Sequence, residues 1–206
     1  LIHSFGQTVQ KTQESLERYG ISEAINEVYH FIWHGYCDWG VEVAKDALGD
    51  IQRQETARSV LLYVFEGALR LLAPFMPFVS EELWGLIPAH PRWGERPASL
   101  AVAAFPRSEE IPVFEEDARS WDLVKDVVSG IRSSRSQMGI APREQLKAFV
   151  QGQAWEVGVL RKQGAALKLL AQVELEGCDE TLVPPQNSLV AVGKGWTVYL
   201  PAGDLV

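Results

Sequence analysis

The chain has 206 residues, with 27 acidic and 19 basic side chains, a net charge of −8 and an ordinary apolar content. That length buries a real core and the composition excludes wholesale disorder. The charge excludes non-specific attraction to nucleic acid, so any RNA-binding role must rest on a local basic face. No apolar run approaches the ~20 residues that span a bilayer, and the first residues lack the basic start and apolar run of a signal peptide. Cys37 and Cys178 are too few and too far apart for a disulfide framework, which makes a reducing cytosol the expectation.

In chain order, Ile2, Phe5, Val9, Leu16 and Tyr19 form one helical stripe, stopped by Gly20. Ser22, preceded by the apolar Ile21, is placed to cap a second helix. That helix carries Ile25, Val28, Tyr29, Ile32, Trp33, Tyr36, Trp39 and Val43, a wide apolar face that predicts a central place in a bundle, with Trp33 and Trp39 in the core. Asp46 to Asp50, including Gly49, break the pattern. A third helix follows with Ala57, Val60, Leu61, Val64, Ala68, Leu69 and Leu72 inward. Pro74 ends it. Two prolines then bracket Phe75-Met76, and a fourth helix starts at once over about residues 78–86. Proline is tolerated at helix entry but not inside, so Pro74 and Pro77 fix a sharp helical corner, and Glu81 and Glu82 complement the dipole of the new helix.

Residues 88–112 are punctuated by Pro88, Pro91, Gly94, Pro97, Pro106 and Pro112, and read as an ordered connection with Leu100 to Phe105 extended against the bundle. A fifth helix starts near Val113. Its stripe includes Phe114, Ala118, Trp121, Val124, Val128 and Ile131, with Trp121 in the core, and Gly139 and Pro142 end it. Then the period changes. Leu146, Ala148 and Val150 alternate as in a strand. A short helix over 154–164, a strand at Val173 to Leu175, and strands at Leu189 to Val192 and Trp196 to Leu200 joined by Gly193-Lys194-Gly195 follow, with Pro201, Ala202 and Gly203 closing the chain. The fold class expected is mainly α: a helical bundle over residues 1–142, then a small α+β module over 143–206.

Few constellations carry chemistry. His30, His34 and Cys37 share a helix face at metal-ligand spacing, but one helix rarely supplies a whole zinc site and no second ligand-bearing segment exists, so no metal is expected. No nucleophilic triad or phosphate-binding glycine loop is present, so no catalytic residue is expected. The segment Ile131-Arg132-Ser133-Ser134-Arg135 stands out. Arg132 and Arg135 share a face, Arg143 and Lys147 follow beyond the turn, and no acid lies between residues 127 and 143. Guanidinium groups suit phosphates and base edges, but cations near a helix end also complement its dipole, and the residues alone weigh the two equally.

Three segments agree in order and spacing with one family: Phe31-Ile32-Trp33 running to Cys37-Asp38-Trp39 with Glu42 and Lys45, the Pro-Phe-Met-Pro-Phe corner with Ser80-Glu81-Glu82-Leu83-Trp84, and Ile131-Arg132-Ser133-Ser134-Arg135 followed by Pro142. Together they resemble the anticodon-binding region of class I aminoacyl-tRNA synthetases, the valyl type more than the isoleucyl or leucyl. The tail Trp196 to Pro201 with Gly203 is similar to the segment before the C-terminal coiled-coil arm of valyl enzymes.

Gly40 departs from the family's aromatic after Cys-Asp-Trp. The activation signatures, the editing domain and the coiled-coil arm are absent, so the resemblance implies a C-terminal region that is inactive alone. It implies tRNA-Val and the rest of a synthetase as partners, with Arg132, Arg135, Arg143 and Lys147 as tRNA contacts; Trp33, Trp39 and Trp121 fall on apolar stripes and are expected in the core. ATP and Mg²⁺ would belong to the parent enzyme, with no cofactor in this region. The alternatives are the same domain of an isoleucyl or leucyl enzyme, or a helical protein-docking scaffold that never touches RNA.

Overall fold

The computed structural model describes residues 1–88 and 96–201. Pro91 and Gly94 of the connection, His90, and the closing Ala202 and Gly203 lie outside the described residues. The chain forms two compact units, Leu1–Glu115 and Glu116–Val206.

In the first unit, α1 (Ile2–Glu17) and α2 (Ile21–His30) are followed by a run of wider π-helical turns over Phe31–Val41, then α3 (Glu42–Leu48), α4 (Gln54–Leu72) and α5 (Pro77–Leu86). No strand occurs among its described residues. The junction of α1 and α2 differs from the expectation. Tyr19, not Gly20, takes the left-handed backbone (φ 59°). The Gly20 amide donates to Ser15 O at 2.8 Å and the Tyr19 amide to Leu16 O at 3.0 Å, which closes the last carbonyls of α1. Gly20 is also the residue that opens α2, so Ser22 falls inside the helix and makes no cap.

The core of this unit gathers Phe5, Val9, Val28, Phe31, Val64, Ala68, Leu71 and Ile111. Phe5 packs 5.7 Å from Phe31 and edge-on to Tyr63 at 6.5 Å, ring centre to ring centre. Gly67 makes room for it, since a Cβ there would stand 2.3 Å from the Phe5 ring. Half-buried Tyr36 donates its hydroxyl to Leu61 O at 3.2 Å, and burial pushes that hydroxyl up to about 12.

The proline corner forms as expected, with Pro77 at the start of α5. Because the helix begins there, Glu81 and Glu82 lie beyond its first turn and do not serve the dipole. Glu81 instead accepts the Leu100 amide through both oxygens, at 3.0 and 3.2 Å. Buried Trp84 donates to Pro97 O at 3.0 Å, and Arg96 lies 4.6 Å over its ring. These bonds hold the described part of the connection against α5, with Leu100 buried in a short 3₁₀ turn over Leu100–Val102 rather than extended.

In the second unit, α6 (Glu115–Gln137) precedes a four-stranded sheet of order β2-β1-β4-β3. Strand β1 (Leu146–Gly152) runs parallel to β2 (Val173–Asp179) and antiparallel to β4 (Trp196–Pro201), which pairs with β3 (Ser188–Gly193). Parallel neighbours need a crossover. It is built by α7 (Ala154–Lys162), as expected, and by α8 (Gly164–Ala171), a second helix that the hydrophobic pattern does not predict. The β3–β4 turn is Lys194-Gly195, with Gly195 at φ 83°, a backbone region that glycine enters without the penalty a Cβ would bring.

The boundary of packing falls at Glu115/Glu116, earlier than the change of period near residue 143. The reason is that α6 belongs with the sheet. Asp126 accepts Trp196 Nε1 at 2.8 Å, and a Cβ on Gly130 would stand 2.7 Å from the same indole ring. The inner face of α6 buries Leu123, Val124, Val127, Val128, Ile131 and Arg135.

Candidate functional site

The four cations singled out above lie in the second unit, at the end of α6 and the entry to β1, but they do not share one solvent-facing surface. Arg135 is 4 % exposed. Its Nη1 donates to Ala171 O at 3.0 Å and Gln172 O at 3.2 Å, and its Nη2 to Ala141 O at 2.7 Å and to Glu144 O. Helix α8 ends at Ala171, and Gln172 takes a left-handed backbone at φ 53°. The carbonyls at such an end have no partner within the helix, and a forked guanidinium satisfies them while meeting the negative end of the dipole. Burial lowers the pKa of Arg135, with the charge of Glu144 acting in the opposite direction.

Arg132, one turn earlier, adds Nε and Nη2 bonds to Leu170 O at 3.0 and 2.7 Å. Both arginines therefore serve a helix C-terminus, but that of α8, not their own. The expectation of Arg135 as a solvent-facing phosphate contact is corrected: its guanidinium is enclosed and both terminal nitrogens donate to backbone oxygens.

Arg132, Arg143 and Lys147 remain at the surface. Lys147 sits on the outer face of β1, between buried Leu146 and Ala148, and pairs with Glu176 of β2 at 3.3 Å. Beside it, Lys168 pairs with Glu174 at 3.4 Å. Carboxylates on the neighbouring strand thus temper the positive potential that the run of Arg and Lys suggests.

The aromatic helix also departs from its reading. Ala24, Val28 and Phe31 are the side chains that α2 and the π-helical turns bury, while Trp39 is half-buried and Trp33 is exposed. Trp121 of α6 is half-buried too. Trp33 stacks on Tyr29 with ring centres 6.3 Å apart and planes 8° apart. His34 stacks on His30 at 5.6 Å and donates through Nδ1 to Asp38 at 2.9 Å. Among the described residues no group of three or more His, Cys, Asp or Glu side chains is arranged to hold a metal ion. Nor, among them, is any helix long and apolar enough to cross a membrane.

A bundle of helices turned by a double-proline corner, followed by an arginine-stapled α+β module, is the frame in which the comparisons with known proteins fall. Residues 1–150 match the family model described as the anticodon-binding domain of tRNA ligase. The chain belongs to that family. It is similar to the valine–tRNA ligase of Geobacter sulfurreducens, 36 % identical over 210 residues that cover 100 % of this chain and 23 % of the relative. The valine–tRNA ligase of Fervidobacterium nodosum is 37 % identical over 200 residues, covering 97 % and 22 %. That of Aquifex aeolicus is 30 % identical over 213 residues, covering 97 % and 18 %. The chain thus spans roughly a fifth of the length of these relatives.

Proposed function

We propose that this chain is the anticodon-binding region of a valine–tRNA ligase and recognises tRNA-Val for an enzyme working in the cytoplasm. One observation carries the reading: the anticodon-binding family match over residues 1–150 coincides with relatives, named as valine–tRNA ligases, that align with 97–100 % of the chain. The whole enzyme would join valine to its tRNA with ATP and Mg²⁺. That chemistry belongs to the part of the relatives' length that this chain does not span, and no step of it is assigned to these residues.

The role here is binding. RNA is read at unpaired loops by stacking and edge hydrogen bonds, with Arg and Lys holding phosphates. Arg143 and Lys147, with the outer edge of Arg132, are the phosphate contacts we assign. Arg135 acts on them indirectly, by fixing the segment that runs from α6 into β1.

Two measurements on the parent ligase test this. Valylation of tRNA-Val, compared with tRNAs altered in the anticodon, reads the function; indifference to the anticodon overturns it. Substitution of Arg143 and Lys147 by Ala should reduce the salt slope of tRNA binding by about 0.7 for each phosphate that is no longer neutralised. An unchanged slope with the fold intact removes these residues from the interface.

A further inference from the structure

In the first unit a cavity of about 330 Å³ lies between the double-proline corner and the described part of the connection. Pro74 and Pro77 line it from the corner, Ala101 and Phe105 from the connection. The volume is at the low end of the range for ligand pockets, which suits a single ring system rather than a length of chain. Its walls are set before anything enters. Proline fixes the backbone at the corner. Glu81 is tied to the Leu100 amide through both oxygens, and Phe105 is half-buried against the core of the unit.

Two polar groups border this apolar space, Arg70 and Glu81. Arg70 donates through Nη2 to Glu66 at 2.8 Å and through Nη1 to Ala104 O at 3.3 Å. A guanidinium has five N–H donors, so three are left over among the described residues, the buried Nε being one of them. A carboxylate accepts at about four lone-pair sites, and the one Leu100 amide leaves Glu81 with acceptor capacity to spare. Spare donors and spare acceptors therefore meet at one apolar cleft.

Charge then selects the ligand. Glu66 and Glu81 against one guanidinium leave the site negative, which repels a phosphate or a carboxylate. A cation would leave the spare N–H groups unanswered. What fits is a flat, uncharged ring with a donor and an acceptor on its edge, and that is the chemistry of a nucleobase.

We infer that the corner cavity between Arg70, Glu81 and Phe105 takes one unpaired base of bound tRNA, stacked on Phe105 and read along its edge by Arg70 and Glu81. This rests on the reading of the chain as a tRNA-binding region. A base is neutral, so the contact adds affinity without releasing counterions, in contrast to Arg143 and Lys147.

The test uses the full-length ligase and transcribed tRNA-Val. The enzyme is first shown to valylate this tRNA and to depend on its anticodon; failure at that step overturns the functional reading, and this proposal with it. Ala101→Phe, at an exposed position of the 3₁₀ turn, fills the cavity and leaves Arg70 and Glu81 in place. It should weaken tRNA-Val binding about tenfold, the size of one lost base stack, with the salt slope unchanged. Arg70→Lys keeps a charge beside Glu66 but not the fork, and should weaken binding several-fold. Probing with dimethyl sulfate and a carbodiimide should find one unpaired base that is protected in the wild-type complex and reactive with both variants, the rest of the footprint being unaltered. Circular dichroism checks both folds, and either folded variant suffices. Unchanged affinity in a folded Ala101→Phe would leave the cavity to water alone, and a changed salt slope would mean a phosphate. Binding of free adenosine or cytidine below millimolar concentration, abolished by Ala101→Phe, would make it a free-nucleoside site. Each of these outcomes, or a base footprint identical in wild type and variants, would overturn the proposal.

Discussion

Helix α6 and the helix formed by α2 and the π-helical turns both carry residues spaced three and four apart, and they use that spacing in opposite ways. Towards its end, α6 turns a charged group inward: Arg135 lies among backbone carbonyls. The other turns an indole outward: Trp33 stands half in solvent on the ring of Tyr29. What separates them is the supply of partners. The end of α8 leaves carbonyls that need donors, and a guanidinium provides five in a fixed fork. Around α2 the core is filled by Val28 and Phe31, with Ile32 and Tyr36 packed against them, and Trp33 is not among the side chains it takes in. Burial follows unsatisfied groups and available space, not hydropathy alone.

The contrast breaks most readily at Arg135. Arg135→Ala leaves the carbonyls of Ala171, Gln172, Ala141 and Glu144 without this donor and should destabilise the second unit by about 3–5 kcal/mol, read as a shift of the urea midpoint. Arg135→Lys should recover only part, because a point charge cannot satisfy the fork. A loss below ~1 kcal/mol would mean that the site relaxes around water and that α6 holds no internal charge of consequence. Arg132→Ala, which removes two bonds to the single Leu170 carbonyl at the surface, should cost about 1–2 kcal/mol. Next in size is Trp33→Ala, at about 1 kcal/mol for one exposed ring stack. A loss of ~3–5 kcal/mol in the same denaturation would return Trp33 to the core and erase the contrast. Lys147→Ala should change stability by under ~1 kcal/mol, since its pair with Glu176 is solvent-exposed.

The legible parts of the fold were those with a local cause. Pro74 and Pro77 dictate a corner whatever surrounds them. Leu146, Ala148 and Val150 alternate because one face of β1 meets the core. Gly193-Lys194-Gly195 lies where β3 and β4 must reverse.

The rest had no local signature. Wide turns over Phe31–Val41 leave no side-chain period of their own, and Gly35 and Gly40 only hint at crowding: a Cβ would stand 3.1 Å from the Phe31 ring at the first and 3.1 Å from the Leu1 methyls at the second. Helix α8 is too short for its stripe to be separated from α7. At the candidate site, the position of Arg132, Arg143 and Lys147 near a chain turn was readable, but the burial of Arg135 was not. Its partners are backbone oxygens, identical at every residue, and those at the end of α8 lie 36 and 37 positions away. The short loop from Gly139 to Pro142, with Ala141 O in reach, was the one available clue.

The Arg135 fork also has a kinetic meaning. It ties three stretches of chain, the end of α6, the loop at Ala141 to Glu144 and the end of α8, through one side chain. The Leu146 amide closes the same junction by donating to Gln172 O at 3.0 Å, and the Ile140 amide by donating to Arg135 O at 3.0 Å. Pieces joined at one node open together. The amides of Ile140, Leu146 and Gln172 should therefore exchange with deuterium at one common rate, as a single cooperative unit, although 32 positions of sequence separate the first from the last.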